Sequence, residues 1–346
     1  MKKTILKIGF CAASLAMATS LSAGNPQRSG SAGASELLIN PWARSAGWAG
    51  SNVGGISGVE ASFLNVAGTA GTSKTDVSFT STSWLVGAGI NINAAGFNQK
   101  VGSRGVLGAS FVSFDYGEWD RTTEANPEGG IGTISPSTVI LGVSYAQAFT
   151  TNIRGGVNIK LYSSASDNLN VNALNFDAGV QYVTGKEEQM KFGITLKNVG
   201  PSVAFEGDGK TINLPSPQGG FTRAFEERSA TFELPTTLSI GGSYDFNFDS
   251  QVLTFAGSFQ SNSFEKDQYT LGTQYKLKDR FGIRAGYTFY DNRVFEDQTT
   301  VFTGLSAGAS LTAPLGDSGT KIGIDYSFRA TNSFSGVHSI GIQFTL

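Results

Sequence analysis

Few side chains in this sequence are of the types that do chemistry. His338 is the only histidine and Cys11 the only cysteine. Hydrolysis normally calls on a histidine with a serine or carboxylate beside it. No such partner pattern surrounds His338, so the sequence points away from an enzyme. Ala204-Phe205-Glu206-Gly207-Asp208-Gly209-Lys210-Thr211 follows a loose P-loop spacing with alanine in the first position. A P-loop needs a strand before it and, after it, a helix whose amides hold phosphate. Leu214-Pro215-Ser216-Pro217 forbids that helix, and the stretch reads as an exposed turn. Glu206 and Asp208 lack the ladder of oxygen ligands and the closing glutamate of a calcium loop, leaving at most a weak surface site. No cofactor, metal or catalytic residue is expected.

The remaining chemical interest lies in residues 200–232, where Phe205, Phe221 and Phe225 stand beside Arg223, Glu226, Glu227 and Arg228. Loops longer than about 12–15 residues without regular structure are usually functional or disordered. Two readings coexist: a lid or partner-binding surface with aromatic anchors, and a loop folded inward to seal what lies beneath it. Charges interrupt apolar alternations elsewhere, among them Arg154, Lys160, Arg284 and Asp325.

Those alternations define the elements that must position everything else. In Ser339-Ile340-Gly341-Ile342-Gln343-Phe344-Thr345-Leu346 every second side chain is apolar. A period of two puts one face in an apolar medium and the other in water. The same pattern runs through Ile153–Leu161, Leu174–Tyr182, Leu238–Phe246, Tyr269–Leu277, Ile283–Phe289 and Ile322–Phe328. Weaker versions occupy 75–83, 87–98, 104–115, 136–149, 190–199, 251–261 and 300–313, for about 14 strands, an even number. Short turns follow the even-numbered strands (150–151, 185–187, 279–280, 316–317), and long loops follow odd ones (116–135, 200–232, 291–299). Short turns at one end and long loops at the other are the habit of outer-membrane barrels. The sequence therefore predicts an all-β protein, a transmembrane antiparallel β-barrel over 73–346. A charge in mid-strand facing lipid costs about 2–4 kcal/mol for Arg or Lys. Arg154, Lys160, Arg284 and Asp325 are accordingly expected to face a wet, partly filled lumen. Phe344 and Leu346, on the terminal strand, are expected to matter for barrel assembly.

Composition agrees. Glycine is abundant at 45 residues, while charged residues make up only 15% of the chain; glycine lets barrel walls bend and lumen side chains crowd. The balance of 25 basic to 27 acidic residues argues against nucleic acid as a partner. Lys2, Lys3 and Lys7, the apolar run Ile8 to Met17 and the site Leu21-Ser22-Ala23 read as a cleaved signal peptide over 1–23. Cys11 falls within it, so the mature chain has no thiol for disulfides, thiolate metal sites or nucleophilic catalysis. Residues 24–35 read as a flexible leader. Asn40 is placed as an N-cap and Pro41 as the first helical residue of a short segment that packs under or into the barrel. Trp42 and Trp48 favour a packed plug over a disordered tail within 24–72.

This N-terminal stretch resembles the opening of the PorV/PorQ family of FadL-like outer-membrane barrels. The family's "ARS-x-G-x-G" stretch and "NPAG" turn are matched by Arg44, Gly47, Gly50, Asn65, Ala67 and Gly68, with Val66 in place of the turn proline. Phe192–Pro201 is similar to the family's "G-x-x-x-K-N-x-G-P" strand end, Leu234-Pro235-Thr236 to its "LPT", and Asp325-Tyr326-Ser327 with His338 to its closing hairpin. The resemblance spans nearly the whole mature chain. It implies a barrel of Bacteroidota-type outer membranes, exported by a cleaved signal and associated with type IX secretion. The implied partners are outer-membrane lipid and either a translocon barrel or secreted cargo, docked by loops 116–135 and 200–232. The wider FadL-like group implies the alternative, a channel for small hydrophobic molecules. That alternative would be supported by a kinked strand, for which 86–89 or 105–108 offer glycines.

Overall fold

The computed structural model describes residues 24–216, 219–290, 300–316 and 319–346. The expected signal peptide, the outer loop 291–299 and Asp317 of the expected turn lie outside the described residues. Fourteen strands close into one antiparallel barrel. They are β1 Thr75–Trp84, β2 Ile90–Val101, β3 Gly105–Asp115, β4 Ser137–Ala148, β5 Ile153–Ser166, β6 Leu169–Thr184 and β7 Met190–Val199, followed by β8 Thr237–Phe248, β9 Gln251–Asn262, β10 Gln268–Leu277, β11 Phe281–Tyr290, β12 Phe302–Pro314, β13 Lys321–Thr331 and β14 Val337–Thr345. Each pairs with its neighbours in sequence, and β14 closes on β1 from Asp76 opposite Thr345 to Ser83 opposite His338. Closure leaves no strand edge unpaired, which hydrocarbon requires because it offers no hydrogen bonds.

The burial pattern is that of a soluble sheet turned inside out. Ser78, Thr80 and Thr82 of β1 are buried, while Phe79 on the opposite face is 51% exposed. Val157, Ile159 and Leu161 of β5 are exposed and Asn158 and Lys160 buried. Pleating sends alternate side chains to opposite faces, so polar residues line the interior and apolar ones the outer surface. The short connections 149–152, 185–189 and 278–280 lie at the end that carries the C-terminus, and 116–136 and 200–236 at the other. Small hairpins decorate the long loops: Trp119–Asp120 with Thr133–Ile134, and Thr211–Pro215 with Thr222–Glu226.

Neither glycine-rich segment that could supply a kink bends a strand of the wall. Residues 86–89 form the connection between β1 and β2, and β3 pairs with β2 and β4 along Gly105–Asp115 without a register shift. Register breaks fall elsewhere. One lies between Phe176 and Ala178 of β6, where β7 carries one extra residue and Asn198 takes φ +60°; the other lies between Phe302 and Ser306 of β12.

The N-terminal segment threads the barrel from the loop end. Where a flexible leader is expected, the chain is tied to the outer rim. Asn25 N–H donates to the Asn262 carbonyl, Gly33 N–H to that of Glu233, and Arg28 pairs with Glu233 at 2.6 Å. Glu36 accepts from the hydroxyls of Tyr116 (2.7 Å) and Tyr162 (3.1 Å). Residues 40–72 then fill the lumen with helices α1 Ala43–Ala46 and α2 Ala61–Leu64 and a 3-10 turn Val66–Gly71. Trp42 and Trp48 are buried. The first helix starts later than Asn40 and Pro41 suggest: Trp42 holds the N-cap position, and Asn40 Oδ1 accepts the Trp42 N–H at 3.1 Å. A short polar side chain that satisfies the backbone two residues on makes a turn in place of a cap.

Strand β14 seals the wall. Phe344 stands opposite Val77 and Ile322, and Leu346 N–H donates to the Thr75 carbonyl at 2.8 Å. Replacing both Phe344 and Leu346 with Asp puts two carboxylates on the lipid-facing side of the seam, where charge is penalised. The double variant is expected to lose most of its heat-modifiable, folded band on electrophoresis. A normal band in the variant contradicts the role of these side chains in closure.

Candidate functional site

The lumen is divided by the N-terminal segment into two chambers, and the division rests on close backbone approach. Wall glycines on the lumen face make room for it. A Cβ added at Gly193 of β7 would lie 2.5 Å from the Val53 carbonyl oxygen, and one at Gly156 of β5 2.9 Å from that of Val66. Additions at Gly286 of β11 would strike the Trp48 backbone, and at Gly179 of β6 the Asn65 side chain. These glycines serve packing between wall and plug.

Of the residues singled out at the N-terminal motif, Arg44, Gly47 and Asn65 touch the wall, while Gly50 and Gly68 pack within the plug. Gly47 lies against the Gly308 backbone, and Gly50 has φ +71°. Asn65 is fully buried: Nδ2 donates to the carbonyls of Val53 and Val180, each at 3.1 Å, and Oδ1 accepts from Ala67 N–H at 3.2 Å. One amide thus caps the 3-10 turn and ties it to β6. A Cβ on Gly68 would collide with the Ile56 carbonyl oxygen, and Val66 in the place of a turn proline is buried.

Arg44 joins this motif to the lumen charges. Its Nε and Nη2 donate to the two carboxylate oxygens of Asp325 at 2.9 and 3.0 Å. Arg284 Nη1 reaches Asp325 Oδ1 and the Arg44 carbonyl, each at 3.3 Å, and Nη2 donates to Ser310 Oγ at 2.7 Å. Asp325 and Arg284 are buried. One carboxylate therefore holds two guanidiniums, one from the plug and one from the wall. A second network forms at the register break in β6 and β7. Lys160 Nζ lies 2.9 Å from Asp177 and donates to Asn198 Oδ1 at 2.5 Å, while Asn198 N–H donates to Asp177 at 2.8 Å. The extra residue of the bulge turns both Lys197 and Asn198 inward, and Lys197 Nζ sits 4.4 Å from the Phe63 ring centroid. Arg154 is half-buried with its guanidinium beside Gly71, and forms no ion pair among the described residues.

On the loop side of the plug the lining is apolar. Leu37, Trp42, Ile92, Val112, Phe114 and Ile140 form one buried cluster, closed from above by Leu234 with Val203 and Phe232. A residual cavity of about 30 Å³ remains among Leu37, Ile39, Trp42, Phe63, Val112 and Ile140, with Ser62, Ser110, Asn158 and Lys160 as its polar lining. Leu37 and Ile39 of the N-terminal segment supply much of the filling.

Loop 200–232 divides between the two roles the sequence left open. Its base packs inward through Val203 and Phe232, with the Phe205 ring 5.7 Å from Phe232. Its hairpin projects outward, leaving Phe221, Phe225 and Arg228 exposed and Arg223 over the Phe221 ring at 5.2 Å. The P-loop-like stretch is one 3-10 turn, Asp208–Lys210, followed by a strand. His338 Nδ1 and the Tyr326 hydroxyl are 2.7 Å apart on the outer wall, with no carboxylate in the contact. Among the described residues no cluster of three metal-ligating side chains occurs.

The glycine contacts had a signal in the sequence, since Gly193, Gly241 and Gly341 fall at the polar positions of their strands, but nothing there said what approaches them. Removing Asp325 takes the carboxylate from the buried Arg284 and the partly exposed Arg44, whereas removing Arg44 leaves Asp325 neutralised by Arg284. Asp325→Asn should therefore cost about 3–5 kcal/mol of stability, and Arg44→Gln clearly less. Denaturant midpoints of both variants in micelles check the order; an equal or larger loss for Arg44→Gln would break this account.

No family model matches the chain, and no curated protein matches it in sequence. Solved structures do match. The toluene transporter TbuX of Ralstonia pickettii superposes with a TM-score of 0.55 at 11% identity, over 88% of this chain and 97% of that one. The toluene transporter TodX of Pseudomonas putida gives 0.54 at 11% identity, over 88% and 97%. A FadL homologue of Pseudomonas aeruginosa gives 0.52 at 12%, over 87% and 96%. At these identities the likeness speaks to architecture: the chain has the fold of FadL-like fourteen-stranded outer-membrane barrels.

Proposed function

We propose that this protein is an outer-membrane channel that takes up small hydrophobic molecules. The observation that carries the reading is the apolar chamber between plug and outer loops, in a barrel whose fold is shared with toluene transporters. Apolar pockets closed by a few movable side chains suit ligands held by burial alone. A monoaromatic solute gains the same lining that Leu37 and Ile39 now occupy, so entry requires these two side chains to yield. Among non-enzymatic readings this accounts for an apolar interior that a purely structural plug does not need.

Expression in an outer-membrane host lacking its own hydrocarbon channel should raise uptake of radiolabelled toluene severalfold over empty vector. Ala94 is buried in the chamber cluster, so Ala94→Phe should reduce that uptake while leaving the heat-modifiable band intact. Uptake equal to the vector control refutes the channel reading.

A second reading is favoured by the outward hairpin of loop 200–232. Phe221 and Phe225 are about half exposed beside Arg223, the residue types that anchor protein interfaces. Together with the resemblance to PorV/PorQ proteins, this supports docking of a translocon barrel or secreted cargo of the type IX system. Since Val203 and Glu206 make backbone bridges at the loop base, the informative deletion is 211–226, which spares them. Mild-detergent purification of the tagged protein from its own outer membranes should recover a large barrel or signal-bearing cargo with the full chain only. Equal recovery with the deleted chain removes the hairpin from that role.

A further inference from the structure

Beneath α1, at the end of the barrel with short turns, lies a cavity of about 300 Å³ that differs in every respect from the apolar chamber above. Among the described residues five cations line it (Arg44, Lys276, Arg280, Arg284 and Lys321) against one lining carboxylate, Asp279. Asp325, just behind the lining, is taken up by Arg44 and Arg284. Counting it too, these described residues carry an excess of three positive charges (five less two). Lys276 and Lys321 make no salt bridge among the described residues, and both occupy lumen positions, two residues from Gln274 and four from Asp325 respectively. Ser310, Thr312, Gln343 and Thr345 add neutral hydrogen-bonding groups.

We propose that this vestibule is a binding site for a small soluble dianion of the phosphate class, arriving from the periplasmic end. Like charges gathered in a concave space with low-dielectric walls focus their potential instead of cancelling it. Such an arrangement is costly in self-repulsion unless an anion is held. The mix is suited to phosphoryl oxygens, for the Arg280 guanidinium offers a directed donor pair and the Lys276 and Lys321 ammoniums point charges. Beside the cavity the strand ladder of β10 to β14 is unbroken, the β12–β13 register break lying at the loop end, so the wall separates the cavity from the bilayer and the anion comes from water and not from a lipid headgroup. The site does not depend on the channel reading, since it lies on the opposite face of the plug from the apolar chamber.

Isothermal titration of the full folded chain in micelles with inorganic phosphate, at constant ionic strength and a pH at which it is the dianion, tests the site. Saturable binding is expected, weakened about tenfold or more in the double variant Lys276→Gln with Lys321→Gln, a difference easily resolved in Kd. A charge-matched control, Lys74→Gln with Lys100→Gln, removes two exposed cations from the same end of the barrel but outside the cavity and should stay within about twofold of the parent. Each single variant at Lys276 or Lys321 should show part of the loss, so the test stands even if the double variant fails to fold. Absence of saturable heat in the parent chain overturns the proposal. So does equal weakening in the two double variants, which would reduce the effect to general charge at the rim.

Discussion

Every other feature of this molecule follows from closure of the backbone ladder between β1 and β14. In hydrocarbon an unpaired amide or carbonyl costs several kcal/mol, so a wall of strands is tolerable only when no edge remains. Closure then fixes the side-chain faces, because pleating gives each strand one outward and one inward set. With lipid outside, the inward set is free to be polar, and Thr82, Asn98, Asn175, Gln181 and Ser327 are all buried within the barrel. A polar interior of that size would fill with water if nothing occupied it. Residues 40–72 occupy it, and their own polar groups must be satisfied there.

The plug meets that requirement by two kinds of contact. Backbone approaches the wall directly where glycines leave space, as at Gly193 and Gly286. Side chains then fix its position through few but well-placed polar groups: Asn65 to the carbonyls of Val53 and Val180, and Arg44 to Asp325. Neither would be stable alone. The glycine surfaces carry no specificity of register, and a buried ion pair rarely repays its desolvation. Together they place one short helix over a particular sector of the wall, between β11 and β14, where α1 touches β12 and β13.

The wall was legible because its signal is local. Ile153, Val157, Ile159 and Leu161 announce β5 by period alone, and the unequal connections announce which end carries loops. The weak alternation at 87–98 begins three residues before the strand does, because Gly87 and Gly89 take positive φ in the turn that precedes Ile90. Asn40 looked like a helix cap and makes a turn instead, a distinction decided by where the lumen admits the helix. The site was less legible. Arg44, Arg284 and Asp325 each stood out by charge in an apolar context, but the contact between Arg44 and Asp325 spans 281 positions and leaves no local pattern. The two-chamber division could not be read at all, since it depends on which wall faces enclose the plug from above and below.

That division has a consequence for traffic. On the loop side a small aromatic solute would exchange water for Trp42, Val112 and Ile140, with a gain of about 25 cal/mol for each Å² of apolar surface covered. On the other side of α1 it would meet Lys276, Arg280 and Lys321 and the water that solvates them, and would lose that gain. A dianion faces the reverse gradient, drawn to the vestibule and repelled by the apolar cluster. The plug is therefore a septum between solvents as well as a steric block. Moving it aside would not by itself create a path that one kind of solute descends from end to end. On the channel reading, apolar cargo entering from the loops would stay on the loop side unless the wall itself yields. The ladder around β3 is unbroken, so its interstrand hydrogen bonds would have to part for a solute to leave there. The register breaks in β6–β7 and β12–β13 are the places where that hydrogen bonding is already interrupted.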